Sequence, residues 1–422
     1  MSPEPMPSPR CLWIDRYVPY PIDEGFKLYA AKLSSALADA GAYVRALGFG
    51  DSAAVPRDVA VHWQSVATRG RRPALSLFSR LPLAAALDAT PSYRAMLRGE
   101  LRERWDAIVF DSYASGWALP IVQAHYARTR QPRPVLVHVS HNHETALWRG
   151  MAKDARSPLL KRAVLWQNYR KVRALERKLS NQTDLLTAIT EEDARALRSH
   201  SSAERSITLT PGYDGYKCTE RLISANTPRR VVIVGSFRWV VKRENLIRFI
   251  EAADSTFADN GIDLQIMGEV PSDLRDALAA RCRATKFLGF QPSLAKVFDH
   301  ARIAVVPELI GGGFKLKFLD YLFGRVPVAA VDAATSGLPS AVREHMLVAS
   351  DYASLTRSIV EYINRFDDLN RMQAHAFSAA DRLFDWDDRG TQLLNAICAA
   401  RSDRVRVNAP VRLNVPIDQV SA

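Results

Sequence analysis

The feature that most constrains the fold is an alternation of short apolar segments with longer helical patterns, and this alternation begins twice. The first beginning is the apolar segment 11–15, which is followed by a loop rich in proline and by a helical pattern that Gly41 ends. The second is residues 230–236, which follow the loop-forming segment 210–214. Alternating strands and helices predict parallel, doubly wound sheets, so we predict an α/β chain with two Rossmann-like domains.

Further apolar segments continue both alternations, and most of them end in glycine, proline or a turn. We predict strands at 107–110 and 135–139 in the first half, and at 264–268, 286–289, 303–307 and 326–330 in the second. Ligands of open α/β sheets bind beyond the carboxyl ends of the strands. The residues directly after each predicted strand are therefore the candidates for a functional site.

The length of 422 residues exceeds what one core usually holds, which agrees with two domains. We predict an N-terminal domain over 1–210 and a second domain over 211–385. Residues 386–422 are expected to form a helix that returns to the first domain, followed from about Ser402 by a loosely ordered tail.

Composition is that of an ordinary soluble enzyme, with 47% hydrophobic and 24% charged residues. The first ten residues contain no apolar stretch, and no segment approaches the roughly 20 apolar residues that a membrane-spanning helix needs. We therefore expect a cytoplasmic protein. The four cysteines form no CxxC pair, which argues against a disulfide framework and against a zinc cluster.

The net charge of +12 is concentrated in residues 151–180, where nine lysines and arginines face only two acids. Leu165, Tyr169, Val172 and Leu179 recur there at nearly helical spacing, so the segment is typical of an amphipathic basic helix. Such a helix either lies on an anionic membrane surface or packs on its own domain with a solvated basic face. No nucleic-acid-binding motif accompanies the charge, so we do not expect nucleic acid as a partner.

The strongest candidate site is the glycine run 311–313, which follows the predicted strand 303–307 and opens a helix. Lys315 and Lys317 come next, and Asp320 lies one turn further on. Glycines let backbone N–H groups approach phosphate oxygens, a helix N-terminus adds positive potential, and lysines neutralise the remaining charge. This pattern favours a diphosphate site over a glycine-rich turn with solvated lysines. It lacks the Gly-Lys-Ser/Thr of a Walker A loop.

Residues 311–320 together with 324–328 resemble the donor-site signature of the retaining family-4 glycosyltransferases, in the branch written GGGxxxKxLEaxxxGxPVV. The resemblance extends from about Gly25 to about Trp386. It implies the GT-B architecture, in which two Rossmann-like domains face a cleft. It also implies a nucleotide-sugar donor in the second domain, an acceptor in the first, and neither a metal nor another cofactor.

The resemblance assigns roles within the signature. Asp320 matches the glutamate that binds the donor ribose, and Lys317 matches the lysine that binds the diphosphate, with Lys315 as a further ligand. The earlier glutamate of the family's pair falls on Gly312, so the backbone amides of Gly312 and Gly313 are expected to replace it.

Four residues of the second domain match other donor contacts of the family. Lys242 matches a lysine that binds the donor phosphates, but the family's arginine falls on Ser236, so either Arg238 substitutes for it or the arginine is lost. Gly268 and Glu269 resemble the loop near the nucleotide base. In the first domain, Gly25 matches the glycine of the loop after the first strand.

The strand at 135–139 ends in a cluster of three histidines. Three histidines within six residues suggest a metal, but no cysteine or carboxylate pattern completes a site, so none is expected. His141, Asn142 and Glu144 resemble the family's histidine-asparagine-x-glutamate, and His141 matches the histidine that faces the transferred sugar.

The sequence thus predicts a glycosyltransferase that moves a sugar from a nucleoside diphosphate sugar to a hydroxyl acceptor by a retaining mechanism, in assembly of a bacterial surface polysaccharide or glycolipid. His141, Lys242 and Lys317 are the predicted catalytic residues, and a saccharide or a lipid-linked molecule is the expected acceptor. Two alternatives stay open. One is a degenerate member that binds a nucleotide sugar or a protein partner without transfer, and the other is a nucleotide-sugar epimerase.

Overall fold

The computed structural model describes residues 8–66, 78–129, 131–153, 158–199 and 205–408. Within these residues the chain forms two wholly parallel sheets, one in each half, with helices packed against them. The fold is therefore α/β with two doubly wound units, as the alternation predicts.

The first sheet has seven strands in the order β3-β2-β1-β4-β5-β6-β7. They are β1 (Arg10–Tyr17), β2 (Tyr43–Phe49), β3 (His62–Val66), β4 (Ala107–Asp111), β5 (Val135–Ser140), β6 (Leu185–Ala188) and β7 (Arg205–Thr208). The helices of this half are α1 (Gly25–Asp39), α2 (Leu83–Asp88), α3 (Pro91–Glu100), α4 (Leu119–Thr129), α5 (Glu144–Lys153), α6 (Leu159–Gln182) and α7 (Glu191–Arg198).

The second sheet has six strands in the order β10-β9-β8-β11-β12-β13. They are β8 (Arg230–Val234), β9 (Asp263–Met267), β10 (Thr285–Gly289), β11 (Ile303–Val306), β12 (Val328–Val331) and β13 (Leu347–Ala349). The helices are α8 (Val240–Asp259), α9 (Ser272–Ala279), α10 (Leu294–Asp299), α11 (Lys317–Phe323), α12 (Ser340–Arg343), α13 (Tyr352–Tyr362), α14 (Phe366–Ala380) and α15 (Trp386–Asn408).

Both faces of the first sheet are covered by helices, and alternate residues of its strands enter the two resulting cores. Cys11 and Trp13 of β1 point into a core that α1 and α15 close, whereas Leu12 and Ile14 point into the opposite core, which α3 and α6 close. Both faces are buried, so the central residues 11–14 of β1 are all apolar.

The strand order places a crevice in each domain. The order reverses between β1 and β4 in the first sheet and between β8 and β11 in the second. The connections after these strands leave in opposite directions, which opens a gap at the carboxyl edge of each sheet. The loops after β1, β8 and β11 are thereby brought to one place.

Helix α15 returns from the second domain to the first. Leu393 and Ile397 belong to the same core as β1 and α1, and Arg389 Nε donates to the carbonyl of Thr210 at 2.7 Å. The predicted loss of regular structure at Ser402 is wrong, because the helix continues to Asn408. Residues 409–422 lie outside the described part of the chain.

The basic segment forms the end of α5 and most of α6. The second half of α6 packs on its own domain through Tyr169, Val172 and Leu179, and its basic side chains face outward. The first half differs, because Leu159 and Leu160 are 81% and 80% exposed. Asp154 and Arg156 of the basic segment lie outside the described residues. None of the described helices is long and apolar enough to cross a bilayer.

Candidate functional site

A cleft of about 580 Å³ lies between the two domains at the carboxyl edges of both sheets. Loops from the first domain form one wall, and the loops after β8 and β11 form the other. Nine of the predicted site residues line it: Gly25, His141, Ser236, Arg238, Lys242, Gly312, Lys315, Lys317 and Asp320. Residues that the sequence separates by almost 300 positions therefore share one cavity.

The helix α11 presents only two of its side chains to the cleft. Phe318, Leu319 and Tyr321 to Phe323 are buried in the core of the second domain. Lys317 and Asp320 are three residues apart and so lie on the same face. A cation and a carboxylate are thereby held one turn apart at the mouth of the glycine loop.

Lys317 pairs with Glu308, the residue that follows β11 by two positions. Lys317 Nζ donates to Glu308 Oε1 at 2.6 Å, and the two side chains are 10% and 6% exposed. Burial opposes ionisation of Glu308, but Lys317, Lys315 and Lys242 together hold the pKa of Glu308 below its usual value. The sequence analysis assigned no role to Glu308. A carboxylate directly after a central strand and beside a glycine run was the available signal.

The other two lysines lie close to this pair. Burial lowers the pKa of Lys242 and of Lys315, and the neighbouring Lys317 lowers both further. Lys315 Nζ donates to the carbonyls of Gly312 and Gly313 at 2.8 and 2.7 Å. In this structure Lys315 therefore braces the glycine loop from within.

Hydrogen bonds from α8 hold the start of the same loop. Asn245 of α8 donates to the carbonyl of Ile310 at 2.7 Å and accepts from the Ile310 amide at 3.0 Å. Tyr352 donates to the same amide oxygen of Asn245 at 3.0 Å. Asn245 could not be predicted from the sequence, because an asparagine inside a helix carries no distinctive pattern.

Asp320 lies in a poorly hydrated corner of the cleft. Burial raises the pKa of Asp320 to about 6, although the adjacent Tyr213 hydroxyl and Lys317 oppose the rise. The carboxylate is ionised at neutral pH and loses its charge in mildly acidic solution. In its ionised form it accepts hydrogen bonds from sugar hydroxyls.

Gly313 touches the first domain and does not line the cleft. A side chain at this position would place its Cβ 2.0 Å from the Oδ1 atom of Asn142, and the φ angle of +70° favours glycine as well. The Asn142 amide in turn donates to Glu144 at 3.2 Å. Gly313 therefore lets the glycine loop approach the end of β5.

The loop after β8 brings Ser236 and Arg238 to the cleft, and the first turn of α8 brings Lys242. Arg238 Nε pairs with Glu269 at 2.5 Å, and both side chains are more than half exposed. Gly268 and Glu269 are not on the cleft wall. Gly268 instead packs against the Gly235 carbonyl, where a Cβ would lie 2.1 Å from that oxygen.

His141 forms the polar centre of the first-domain wall. Its Nε2 atom contacts the fully buried Asp111 carboxylate, whose other oxygen accepts from Trp13 Nε1 at 2.8 Å. Burial alone would lower the pKa of His141, but Asp111 outweighs burial and raises it. The Tyr29 ring stacks edge-on against the imidazole at 5.2 Å. Asp111, which the sequence analysis missed, therefore orients His141.

The three neighbouring histidines have different surroundings. His138 lies in β5 and is fully buried, and burial lowers its pKa to about 3. His143 lies 3.9 Å from Glu176 on α6. No three of the histidines, cysteines and acids that the structure describes are grouped so as to hold a metal ion.

Gly25 contributes to the cleft as the first residue of α1. A Cβ there would lie 2.9 Å from a methyl group of Leu316, just before α11. The first turn of α1 and the start of α11 therefore meet across the cleft, and Asp23 and Glu24 lie beside them on the first-domain wall.

Two family models match the chain. The glycosyl transferase 4-like domain matches residues 24–212, and the model described as glycosyl transferases group 1 matches residues 228–365. No curated protein sequence matches the chain at a significant level.

Solved structures share this fold at low identity. Sucrose-phosphate synthase from Thermosynechococcus elongatus is 17% identical, with a TM-score of 0.70, and the match covers 94% of this chain and 100% of that one. WaaG, a glycosyltransferase involved in lipopolysaccharide biosynthesis, is 16% identical with a TM-score of 0.63 over 92% and 99%. Anabaena HepE in complex with UDP-glucose is 14% identical with a TM-score of 0.61 over 93% and 100%.

The two family matches lie on the two domains, and the solved structures establish the architecture. The chain therefore belongs to the group 1 glycosyltransferases, enzymes that transfer a sugar from a nucleotide-sugar donor, and it has their two-domain GT-B fold.

Proposed function

We propose that this enzyme binds a nucleoside diphosphate sugar on the second-domain wall and transfers the sugar, with retention of configuration, to a hydroxyl of a saccharide or lipid-linked acceptor on the first-domain wall. The observation that carries the proposal is the convergence of three lysines and Asp320 around one glycine loop. Lysines and loop amides bind phosphate, and the carboxylate binds ribose hydroxyls.

The lysines supply the main catalytic contribution in this proposal. When the bond from the sugar to the diphosphate breaks, negative charge builds up on the leaving phosphate oxygen. Lys317 and Lys242 lie in a partly desolvated corner, where a fixed positive charge stabilises developing negative charge more strongly than it does in water. We propose that the reaction needs no metal, because these cations take the place that a divalent ion would occupy.

His141 is proposed to face the sugar that is transferred. Asp111 and the Tyr29 ring hold its imidazole in one orientation on the wall opposite Lys317. Retention of configuration rests on the resemblance of the donor-site signature to the retaining enzymes.

The acceptor is proposed to be a membrane-linked saccharide, as in bacterial surface polysaccharide or glycolipid assembly, reached from the cytoplasmic side. The start of α6 supports this proposal: Leu159, Leu160 and the 44% exposed Trp166 are exposed on the same helix that carries Lys161 and Arg162. Apolar side chains flanked by cations suit the surface of an anionic bilayer.

A transfer assay tests the proposed reaction. The protein is incubated with a panel of UDP- and GDP-sugars and with lipid-linked or soluble saccharide acceptors, with and without EDTA. We expect one donor to release its nucleoside diphosphate only when an acceptor is present, equally with EDTA. The anomeric coupling in the NMR spectrum of the product should match that of the donor.

The degenerate alternative is favoured by one observation, namely that Ser236 and Gly312 stand where the family carries charged side chains. It predicts donor binding without release of nucleoside diphosphate with any acceptor. An epimerase would instead convert the donor in the absence of an acceptor. Each of these results contradicts the proposed transfer.

Vesicle sedimentation tests the membrane surface. We expect the protein to bind phosphatidylcholine vesicles only when they contain phosphatidylglycerol, and Leu159→Ser with Leu160→Ser to abolish binding. Leu222→Ser, at a comparably exposed leucine of the second domain, is the matched control. Equal binding by both variants, or none by the wild type, contradicts the proposal.

A further inference from the structure

The diphosphate corner of the cleft contains a carboxylate that phosphate binding does not require. Glu308 is 5% exposed, lies on the cleft wall, and bonds to Lys317 at 2.6 Å. Three lysines and this one carboxylate leave a net charge of +2 in the corner. Asp320 lies at the other end of α11's exposed face, beside Tyr213.

The reaction changes the charge of what this corner must hold. In a nucleoside diphosphate sugar both phosphates are esterified, so the diphosphate carries two negative charges. During transfer the bond from C1 to the phosphate oxygen breaks and its electron pair stays on that oxygen. The acceptor oxygen bonds to C1 and loses its proton to solvent. The terminal phosphate of the product is then linked only through the anhydride bond, and its second ionisation, with a pKa of about 6, gives it nearly one more negative charge at neutral pH.

We propose that Glu308 is a specificity-determining residue that favours the nucleotide-sugar donor over the nucleoside diphosphate product and so promotes product release. This inference rests on the proposed function. A fixed negative charge beside the diphosphate repels the product, which carries nearly three negative charges, more strongly than it repels the donor, which carries two. The corner then matches the charge of the donor and leaves the product with an unbalanced charge.

A purely structural role makes a different prediction. If Glu308 only held Lys317 in place, its removal would misplace the lysine and weaken donor and product by the same factor. The electrostatic role predicts that removal of the carboxylate strengthens the binding of both ligands, and that the product gains more affinity than the donor. The ratio of the two dissociation constants therefore separates the two roles.

The test uses Glu308→Gln, which keeps the shape of the side chain and an acceptor for Lys317. Dissociation constants for UDP, UDP-glucose, GDP and GDP-mannose are measured by calorimetry on the full chain at pH 7.5. We expect both ligands of the preferred nucleotide to bind more tightly, with the product gaining about tenfold more than the donor. In the transfer assay, the ratio of the KM of the donor to the inhibition constant of the product should rise by the same factor of about tenfold.

If Glu308→Gln unfolds, Glu308→Ala removes the same charge and should shift the ratio in the same direction. Two controls accompany these variants. Glu308→Asp retains the charge and should keep the wild-type ratio. Glu308→Gln with Lys317→Gln restores the net charge of +2 and should also return the ratio to the wild-type value, although both ligands bind more weakly.

The outcomes distinguish this inference from the proposed function. Equal tightening or equal weakening of donor and product by Glu308→Gln overturns the role of Glu308 and leaves the donor site standing. Failure of the wild type to bind any nucleotide in the panel overturns both.

Discussion

The two walls of the cleft differ in the charges that they bury and in the groups that they present to the cleft. The second-domain wall gathers lysines around a loop of small residues, and a single buried carboxylate, Glu308, offsets part of their charge. The first-domain wall buries a carboxylate, Asp111, and presents to the cleft the histidine that it orients. One wall concentrates positive charge, and the other holds one imidazole in place.

This difference separates binding from turnover. In the proposed reaction, the lysines of the second-domain wall contact a diphosphate that is charged before and after transfer, so they act on affinity as well as on rate. His141 would instead face the transferred sugar, so its contribution is expected mainly in the transition state. The predictions below test whether the two walls are separable in this way.

Replacement of His141 should give the largest effect. We expect His141→Ala to lower kcat by about 10²–10⁴-fold and to leave the dissociation constant of the donor within about threefold, because the lost interaction belongs to the transition state. Transfer kinetics and calorimetry on the same preparation measure both. His143→Ala, two residues away beside Glu176, is the matched control. A loss of donor affinity as large as the loss of kcat would show that the walls are not separable.

The pH dependence of donor binding should come from Asp320. Its pKa of about 6 in the free protein means that the carboxylate is ionised above this pH and protonated below it. Only the ionised form accepts two ribose hydroxyl bonds, so affinity should be full above pH 7 and fall by up to about tenfold per pH unit below pH 6. Asp320→Asn should bind weakly and without this dependence. A wild-type affinity that is flat from pH 5 to 8 would remove Asp320 from the donor site.

The contact between the walls should be sensitive to one methyl group. We expect Gly313→Ala to destabilise the protein by roughly 1–3 kcal/mol, because it combines a positive φ angle with a clash against Asn142. Gly289→Ala is the control, since Gly289 has nearly the same φ angle but open space around its Cβ position. Urea unfolding measures both. Equal destabilisation by the two variants would mean that Asn142 moves aside without cost.

The sequence predicted those parts of the molecule that depend on local pattern. All eight predicted strands appear within two residues of their predicted bounds, because most of them are continuous apolar runs buried on both faces. Five strands were not predicted, namely β2, β3, β6, β7 and β13. The edge strands β7 and β13 are short and only partly buried. The glycine loop and its lysines were found because they are adjacent in the chain.

Long-range contacts were beyond the sequence. In the sequence Asp111 is only the residue at the end of a strand. The pairing of β4 with β5 brings it to His141. Glu308 and Lys317 are nine residues apart across a loop, so their pairing depends on how that loop folds. Lys315 was assigned to the donor, whereas in this structure it bonds to loop carbonyls, a choice that residue type alone does not determine.

Calorimetric titration of the wild type and Lys317→Gln with UDP- and GDP-sugars tests the central claim most directly. Glutamine keeps a partner for the buried Glu308 while it removes the positive charge. We predict that one donor binds and that the variant weakens it by about 1.5–3 kcal/mol, as expected for the loss of a charge-assisted contact. Lys296→Ala, an exposed lysine of the same domain, should bind like the wild type. If no donor binds, or if Lys317→Gln binds like Lys296→Ala, the donor site is not where we place it.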